Sequence, residues 1–391
     1  MKEPLRIVIF SHPDYLQIRS INRFSQMLHQ GLTERGHQVE LVKPQPVLHK
    51  DKINPRIGKW LGYLDQYFFF RFKLKAIKRR NKTNKVLYVF ADNALGPWIP
   101  VFASQRHIVH CHDFMALRSS LGQIKENPTS FTGKIYQAYI RRGFAKAGNF
   151  ISVSRKTKDE LEDFVERKPV ISEVVYNGLS PKFMPKDQVM SRECIGKLCN
   201  AMLKDGYIMH IGTNVWYKNK PGVIDIYLQW RKIARNPLPL VMVGKLDDAS
   251  LLDKIAGSGL ASDIHFLGNV TDEDIAHCYS GASLLLFPSL DEGFGWPIAE
   301  AMACGCLVMT TGKAPMTEVG GNAAYYIPRK TAGKEWAENA AASLEVVMNE
   351  TSEALAARRA EGINWVKQFN IDKTLDHIEE IYGRAFSMPL N

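Results

Sequence analysis

The 391-residue chain lacks the signatures of several large functional classes. No Gly-x-Gly-x-x-Gly follows the first apolar run, which disfavours a dinucleotide-dependent dehydrogenase. No Gly-x4-Gly-Lys-Ser/Thr loop occurs, which disfavours a phosphate-loop nucleotidase. No run of about 18 uncharged apolar residues is present, so no spanning helix is expected. The N-terminus runs straight into a strand-like segment, without the apolar stretch and small-residue cleavage site of a signal peptide. Cysteine is sparse: Cys111, Cys194, Cys199, Cys278, Cys304 and Cys306 are scattered, and none forms a Cys-x-x-Cys pair. They read as free thiols in a reducing, cytoplasmic setting.

What is present is an ordinary globular composition, 45% hydrophobic and 23% charged, with length enough for two or three domains. The net charge of +11 is concentrated. Residues 43–85 hold 13 Lys or Arg against two acids, Asp51 and Asp65, so this segment alone equals the whole excess. Trp60, Tyr63, Tyr67, Phe68, Phe69, Phe70 and Phe72 are interleaved with the charges. Such a stretch suits an amphipathic helix with buried rings and solvated lysines. It also suits the inner face of an anionic membrane, where each cation contributes ~1 kcal/mol. Nucleic acid is not expected as a partner, because none of its usual motifs appears.

Strand-like and helix-like segments alternate along both halves. The first half places strands at Leu5–Phe10, Val39–Val42, Val86–Phe90, His107–His112, Phe150–Val153 and Val174–Tyr176, with a helix over about 20–35. Residues 180–204, with Pro181 and Pro185, read as a linker. The pattern then restarts with strands at Tyr207–Ile211, Leu238–Val243, Ile264–Phe266, Leu284–Phe287 and Leu307–Thr310. This alternation predicts an α/β protein: two Rossmann-like, doubly wound parallel-sheet domains facing across a cleft, with ligands outside the carboxyl ends of the strands. The expected domains are 1–185 on the acceptor side, 186–365 on the donor side, and a C-terminal helix within 366–391 that packs back on the first.

The segment richest in chemistry is 287–305, FPSLDEGFGWPIAEAMACG. A buried strand ends at Phe287, a loop carries Glu292, Gly293 and Gly295, and Pro297 suits the first turn of a helix expected over Ile298–Ala303. Glycines before a helix N-terminus let backbone N–H groups approach an anion, and the helix dipole favours negative charge there. A diphosphate suits that position. Glu300, expected in the first turn, and Glu292 would then bind hydroxyl donors of sugar and ribose.

This segment resembles the E-x7-E motif of retaining GT-B glycosyltransferases of family four. The resemblance covers nearly the whole chain. Ile208-Met-His-Ile-Gly-Thr213 followed by Lys218-Asn219 is similar to the family's donor-phosphate segment, and Phe266-Leu-Gly-Asn-Val270, Val153–Leu161, Val175–Gly178 and His112-Asp113 match further motifs in order. The resemblance implies that Glu292 binds donor-sugar hydroxyls and Glu300 the ribose. It implies that Gly212, Thr213 and the backbone near Phe294 and Gly295 hold sugar and diphosphate, that Lys218 neutralises the leaving diphosphate, and that His112 lies near the reacting centre. It further implies front-face transfer with retention, from a nucleotide sugar to a saccharide or lipid-linked acceptor, with no metal and no cofactor, in synthesis of surface polysaccharide, lipopolysaccharide or glycolipid. Two departures stand out. The loop after the first strand, Ser11–Ser20, has no glycine, and Arg19 is the residue there that could replace it. Tyr217 precedes Lys218 where arginine is common, leaving Lys220 as the candidate second cation.

Plainer readings exist for each feature. His110-Cys-His112-Asp113 places two imidazoles on one strand face, but no further ligand set accompanies them, so no metal is expected. Cys304-Gly-Cys306 suits small-residue packing, and the acidic run 272–274 suits a solvated helix cap. Glu318 is a weaker candidate for donor contact. The competing functions are a nucleotide-sugar epimerase or hydrolase on the same scaffold, and a binding protein without turnover.

Overall fold

A computed structural model of the protein describes residues 3–16, 18–49, 55–82, 85–331, 333 and 335–389. The chain divides into two units, Met1–Asn177 with Asp372–Asn391, and Gly178–Ile371.

In the first unit six parallel strands run β1 (Arg6–Phe10), β2 (Gln38–Val42), β3 (Leu87–Phe90), β4 (His107–Cys111), β5 (Asn149–Ser152) and β6 (Ile171–Val174). Their order in the sheet is β2-β1-β3-β4-β5-β6. β3 and β4 are buried along their length, as central strands between two helical layers must be, and β4 buries His107 and His110 with its apolar residues. Aromatic packing fills one layer: the Phe10 and Phe102 rings lie 5.1 Å apart, and Tyr88 and Phe102 4.3 Å. The helix Ile371–Ser387 belongs to this unit. Its Tyr382 hydroxyl meets His110 Nε2 at 2.7 Å, and Arg35 bonds its Asp376 and Glu379.

The second unit repeats the plan with β7 (Ile208–Ile211), β8 (Leu240–Val243), β9 (Ile264–Leu267), β10 (Leu284–Phe287), β11 (Leu307–Thr311) and β12 (Tyr325–Ile327), ordered β12-β11-β10-β7-β8-β9. Every adjacent pair is parallel. Tyr227, Trp230, Met242, Leu286 and Leu344 are buried together in its core. In each sheet the strand order reverses once: between β1 and β3, and between β7 and β10. Loops diverge there, leaving a crevice outside the strand ends.

Three expectations are corrected, and one strand is not foreseen. Residues 180–204 are not a plain linker but contain the helix Gln188–Cys199, capped where Asp187 Oδ1 accepts the Met190 N–H at 2.7 Å and closed by Asn200 at φ 50°. β6 begins at Ile171, earlier than the predicted 174–176. The three-residue strand β12 is too short to read from pattern. The helix after β10 begins at Trp296, two residues early, because Gly295 at φ 104° turns the chain into it.

The basic aromatic segment forms helix Pro55–Leu64, a π-helical turn Asp65–Phe69 and helix Phe70–Arg80 without a break. Residues 50–54, with Asp51, lie outside the described residues. Asp65 is buried, and its carboxylate accepts the N–H groups of Val47, Leu48 and His49 at 3.1, 2.9 and 2.9 Å. Phe70, Leu74 and Ile77 face the core, as an amphipathic helix requires. The expectation that the rings are buried holds only in part, since Trp60, Phe68 and Phe72 are exposed. Among the described residues no helix is long and apolar enough to cross a membrane.

Candidate active site

The reversal between β7 and β10 in the second unit gathers most of the predicted donor residues. After β7 the chain passes Gly212 and Thr213 to a short turn, Trp216–Lys218. A side chain on Gly212 would crowd Lys218, whose methylenes lie 3.1–3.3 Å from the Cβ position. After β10 comes the loop with Ser289, Asp291 and Glu292. Lys218 Nζ reaches Glu292 Oε1 at 2.7 Å, and Ser289 Oγ donates to the same oxygen at 2.8 Å. The ammonium also stands 4.8 Å above the Phe287 ring and 5.5 Å above Tyr217. An aromatic seat of this kind holds a cation without neutralising it.

Two contacts join the two loops, and a third ties the second loop to β11. Asn219, at φ 52°, caps the helix Lys220–Ile233 through Gly222 N–H and donates its Nδ2 to the Pro288 carbonyl at 2.9 Å. Leu290 N–H donates to the Tyr217 carbonyl at 2.8 Å. Thr311 Oγ1 donates to the Ser289 carbonyl at 2.7 Å. The Lys218–Glu292 pair therefore sits on a braced frame rather than on free loops.

Glu300 is the fifth residue of the helix Trp296–Ala303, hence in its second turn and not in the first as expected. It is buried, and Oε2 accepts the Tyr279 hydroxyl at 3.1 Å. Burial and the adjacent carboxylate push the Tyr279 phenol well up, so it stays a donor. Phe294 is buried between the Trp296 and Phe369 rings at 5.6 and 5.5 Å. Gly295 provides the left-handed entry to the helix. Lys220 turns away from the pair formed by Lys218: it is buried, bonds the Lys245 carbonyl, and burial lowers its pKa.

His112 lies in the first unit, just past β4. Its Nε2–H donates to the Ala91 carbonyl at 2.9 Å, and Phe24 meets its ring edge-on at 4.6 Å. Burial lowers its pKa, against the pull of Asp92. Nearby, His12 Nε2 pairs with Asp92 Oδ2 at 2.9 Å, where β1 and β3 diverge. Burial would raise the Asp92 pKa, but the bond from His12 and the two imidazoles hold it below the usual carboxylate range. Asp113 is pushed up to about 6, by burial first and by Asp92 second. The Arg19 side chain lies outside the described residues. A cavity of about 900 Å³ in this unit lies at the opposite strand ends, around His107 and Asn149, and contains none of the predicted site residues. Among the described residues no group of three or more potential metal ligands is found.

Residues 205–345 match the family model described as glycosyl transferases group 1, and residues 21–183 match the model for glycosyltransferase family 4. The chain belongs to the group 1, family four glycosyltransferases. Relatives of this chain include O-antigen chain mannosyltransferase B of Escherichia coli, 34% identical over 34% of this chain and 35% of the relative. Another is the O-antigen chain mannosyltransferase RfbU of Salmonella typhimurium strain LT2, 27% identical over 51% of this chain and 52% of the relative. The chain thus spans about half or less of the length of the curated relatives it matches. Its fold is that of solved GT-B glycosyltransferases. One from Rickettsia africae ESF-5 superposes with a TM-score of 0.71 at 15% identity, covering 99% of this chain and all of that one. WaaG, a glycosyltransferase involved in lipopolysaccharide biosynthesis, gives 0.70 at 14% identity over 96% and 99% of the two chains.

Sequence reasoning names both partners of the Lys218–Glu292 pair without foreseeing their contact. It misses Tyr279, Ser289, His12 and Asp92. Asp92 and His12 each follow a buried strand within two residues, the position where open α/β sheets carry function, and that signal is present in the sequence. Tyr279 lies inside a helix with no local mark of its role.

Proposed function

We propose that this glycosyltransferase moves a mannosyl or related hexosyl group from a nucleotide-activated donor to an acceptor hydroxyl on a surface glycan, with retention and without a metal. The observation carrying this reading is the Lys218–Glu292 pair on the braced loops beside the helix Trp296–Ala303. The mannose assignment is supported by the names of the O-antigen relatives.

In this reading the donor diphosphate approaches the start of that helix, where Gly295 turns the chain into it and presents no side chain. Lys218 moves from Glu292 to the phosphates, supplying the charge that the departing nucleotide develops. Glu292, so released, accepts hydrogen bonds from sugar hydroxyls. Glu300, held by Tyr279, accepts from the ribose. Fixed N–H donors and one cation stabilise the leaving anion, which then takes the acceptor proton.

The test is transfer from GDP-mannose, with UDP-glucose as comparison, to a mannosylated lipid-linked acceptor, with the product's anomeric configuration read by NMR. The expected result is an α-mannoside from the α-linked donor, with the rate retained in excess chelator. Inversion, loss of turnover in chelator, or an epimerised free nucleotide sugar would contradict the reading.

A further inference from the structure

Two helices of the first unit leave large apolar side chains in water, and no core requires them there. On the helical stretch 55–80, Trp60, Leu64, Phe68 and Phe72 are 61%, 47%, 55% and 62% exposed. On the helix Phe131–Phe144, Phe131, Ile135 and Tyr139 are 76%, 56% and 44% exposed. Both rows advance by four residues. In an uninterrupted α-helix twelve residues at 100° each would rotate the row by about 120°, but a π-turn absorbs one residue and reduces that to about 20°. The π-turn at Asp65–Phe69 lies inside the first row and so straightens it along one face.

The two rows belong to one surface. Ring contacts run from Trp60 to Tyr63 at 5.9 Å, from Tyr63 to Tyr136 at 5.0 Å, from Tyr136 to Tyr67 at 5.9 Å, and from Tyr67 to Tyr139 at 5.9 Å. The Tyr67 and Tyr136 hydroxyls meet at 2.6 Å. The second helix is held close to its own unit as well, since side chains at Gly96 or Gly143 would collide with the facing backbone. The patch is therefore a fixed platform rather than a loose flap.

Its charge selects the partner. Arg71, Lys73, Lys75 and Arg79 are exposed on the first helix, and Lys134 and Arg142 on the second. Asp65, the single acid in 55–80, is buried, and the second helix has no acid. A second copy of this chain would bring the same positive field against itself. An anionic lipid surface offers both what the rings need and what the cations need: an interfacial zone for Trp, Tyr and Phe, and phosphate charge for Lys and Arg.

We propose that this two-helix aromatic face seats the protein on an anionic bilayer surface. The inference goes beyond the transferase reading and does not rest on it.

The test is co-sedimentation of the full chain with vesicles of phosphatidylcholine alone and of phosphatidylcholine mixed with phosphatidylglycerol. The parent should pellet with the mixed vesicles only, and salt should release it. The charge variant Arg71→Gln/Lys75→Gln/Arg79→Gln should weaken partition on the order of a hundredfold, from about fivefold per cation. Trp60→Ser/Phe68→Ser/Phe72→Ser should lose binding to a comparable degree, and Phe131→Ser/Ile135→Ser should weaken it less. The second-unit control Lys232→Gln/Arg235→Gln should bind like the parent. Independently, brominated acyl chains should quench parent tryptophan emission, and Trp60→Phe, which keeps a ring, should lose most of that quenching. Equal binding to both vesicle types, variants that pellet like the parent, or a parent dimer that the serine variants dissociate would overturn the proposal.

Discussion

The two units share a six-stranded parallel sheet whose order reverses once, yet place different chemistry at the reversal. The first carries imidazole against carboxylate, His12 on Asp92 with His112 nearby. The second carries ammonium against carboxylate, Lys218 on Glu292, with glycine turns before a helix. A lysine near the start of a helix suits a diphosphate. A histidine–carboxylate pair suits hydroxyl recognition. One architecture repeated thus supplies two crevices, and the loop residues decide what each accepts. The units also share a device. Each buries a histidine within a central strand, His110 on β4 and His210 on β7, and burial holds both at about 3. A neutral His210 adds no positive charge beneath Lys218 and Lys220.

Removing the second unit's cation should have the largest effect. Lys218→Ala is expected to lower kcat about a thousandfold, because it removes the charge that meets the leaving diphosphate, and Glu292→Ala about a hundredfold, because it releases the sugar from its transfer position. His112→Ala in the first unit should cost only about tenfold, the low end for a positioned polar group. Steady-state kinetics of the three variants would reverse the division of roles if His112→Ala proved the most damaging.

Next in size is acid sensitivity. A histidine whose folded-state pKa lies below its unfolded value stabilises the fold while neutral. For His110 and His210 that contribution is whole above 6.5 and is lost as pH falls toward about 3. His210→Asn, which keeps a donor for the Leu286 carbonyl now bonded at 3.0 Å, should flatten the acid limb of the second unit's urea unfolding by a few kcal/mol, since each tenfold change in proton affinity is worth about 1.4 kcal/mol. An unchanged slope would show that other groups govern acid unfolding.

Glu300→Ala should weaken nucleotide-sugar binding by about tenfold, and Tyr279→Phe by about threefold, the loss of one hydrogen bond to a charged group and of one that orients it. Equilibrium titration separates the two. Thr271→Ala should have the smallest effect. It removes the capping box that Thr271 forms with Asp274, costing about 1 kcal/mol, and should lower only the second unit's thermal transition. A shift shared by both units would show that they unfold as one.

Much of this is legible in the residues. Fully apolar strands such as Leu284–Phe287 need burial on both faces, and their alternation with helices leaves a parallel sheet as the arrangement that buries them all. Glu292, Gly295 and Lys218 stand out because glycine, proline and charge at those spacings have few structural uses. What stays hidden depends on three-dimensional neighbours. Asp187 caps a helix where two prolines suggest a linker. A π-turn turns Phe68 and Phe72 outward where periodicity alone would bury them. Tyr279 meets Glu300 across 21 residues, a contact without a local trace.

Calorimetric titration of GDP-mannose into the parent and into Lys218→Ala, both in excess chelator, addresses the donor crevice most directly. One site per chain is expected in the parent, with affinity for the donor and for its free nucleoside diphosphate reduced at least about tenfold in the variant. Equal affinity in the two proteins, or binding only when metal is restored, would contradict a diphosphate held by Lys218 and the start of the helix Trp296–Ala303.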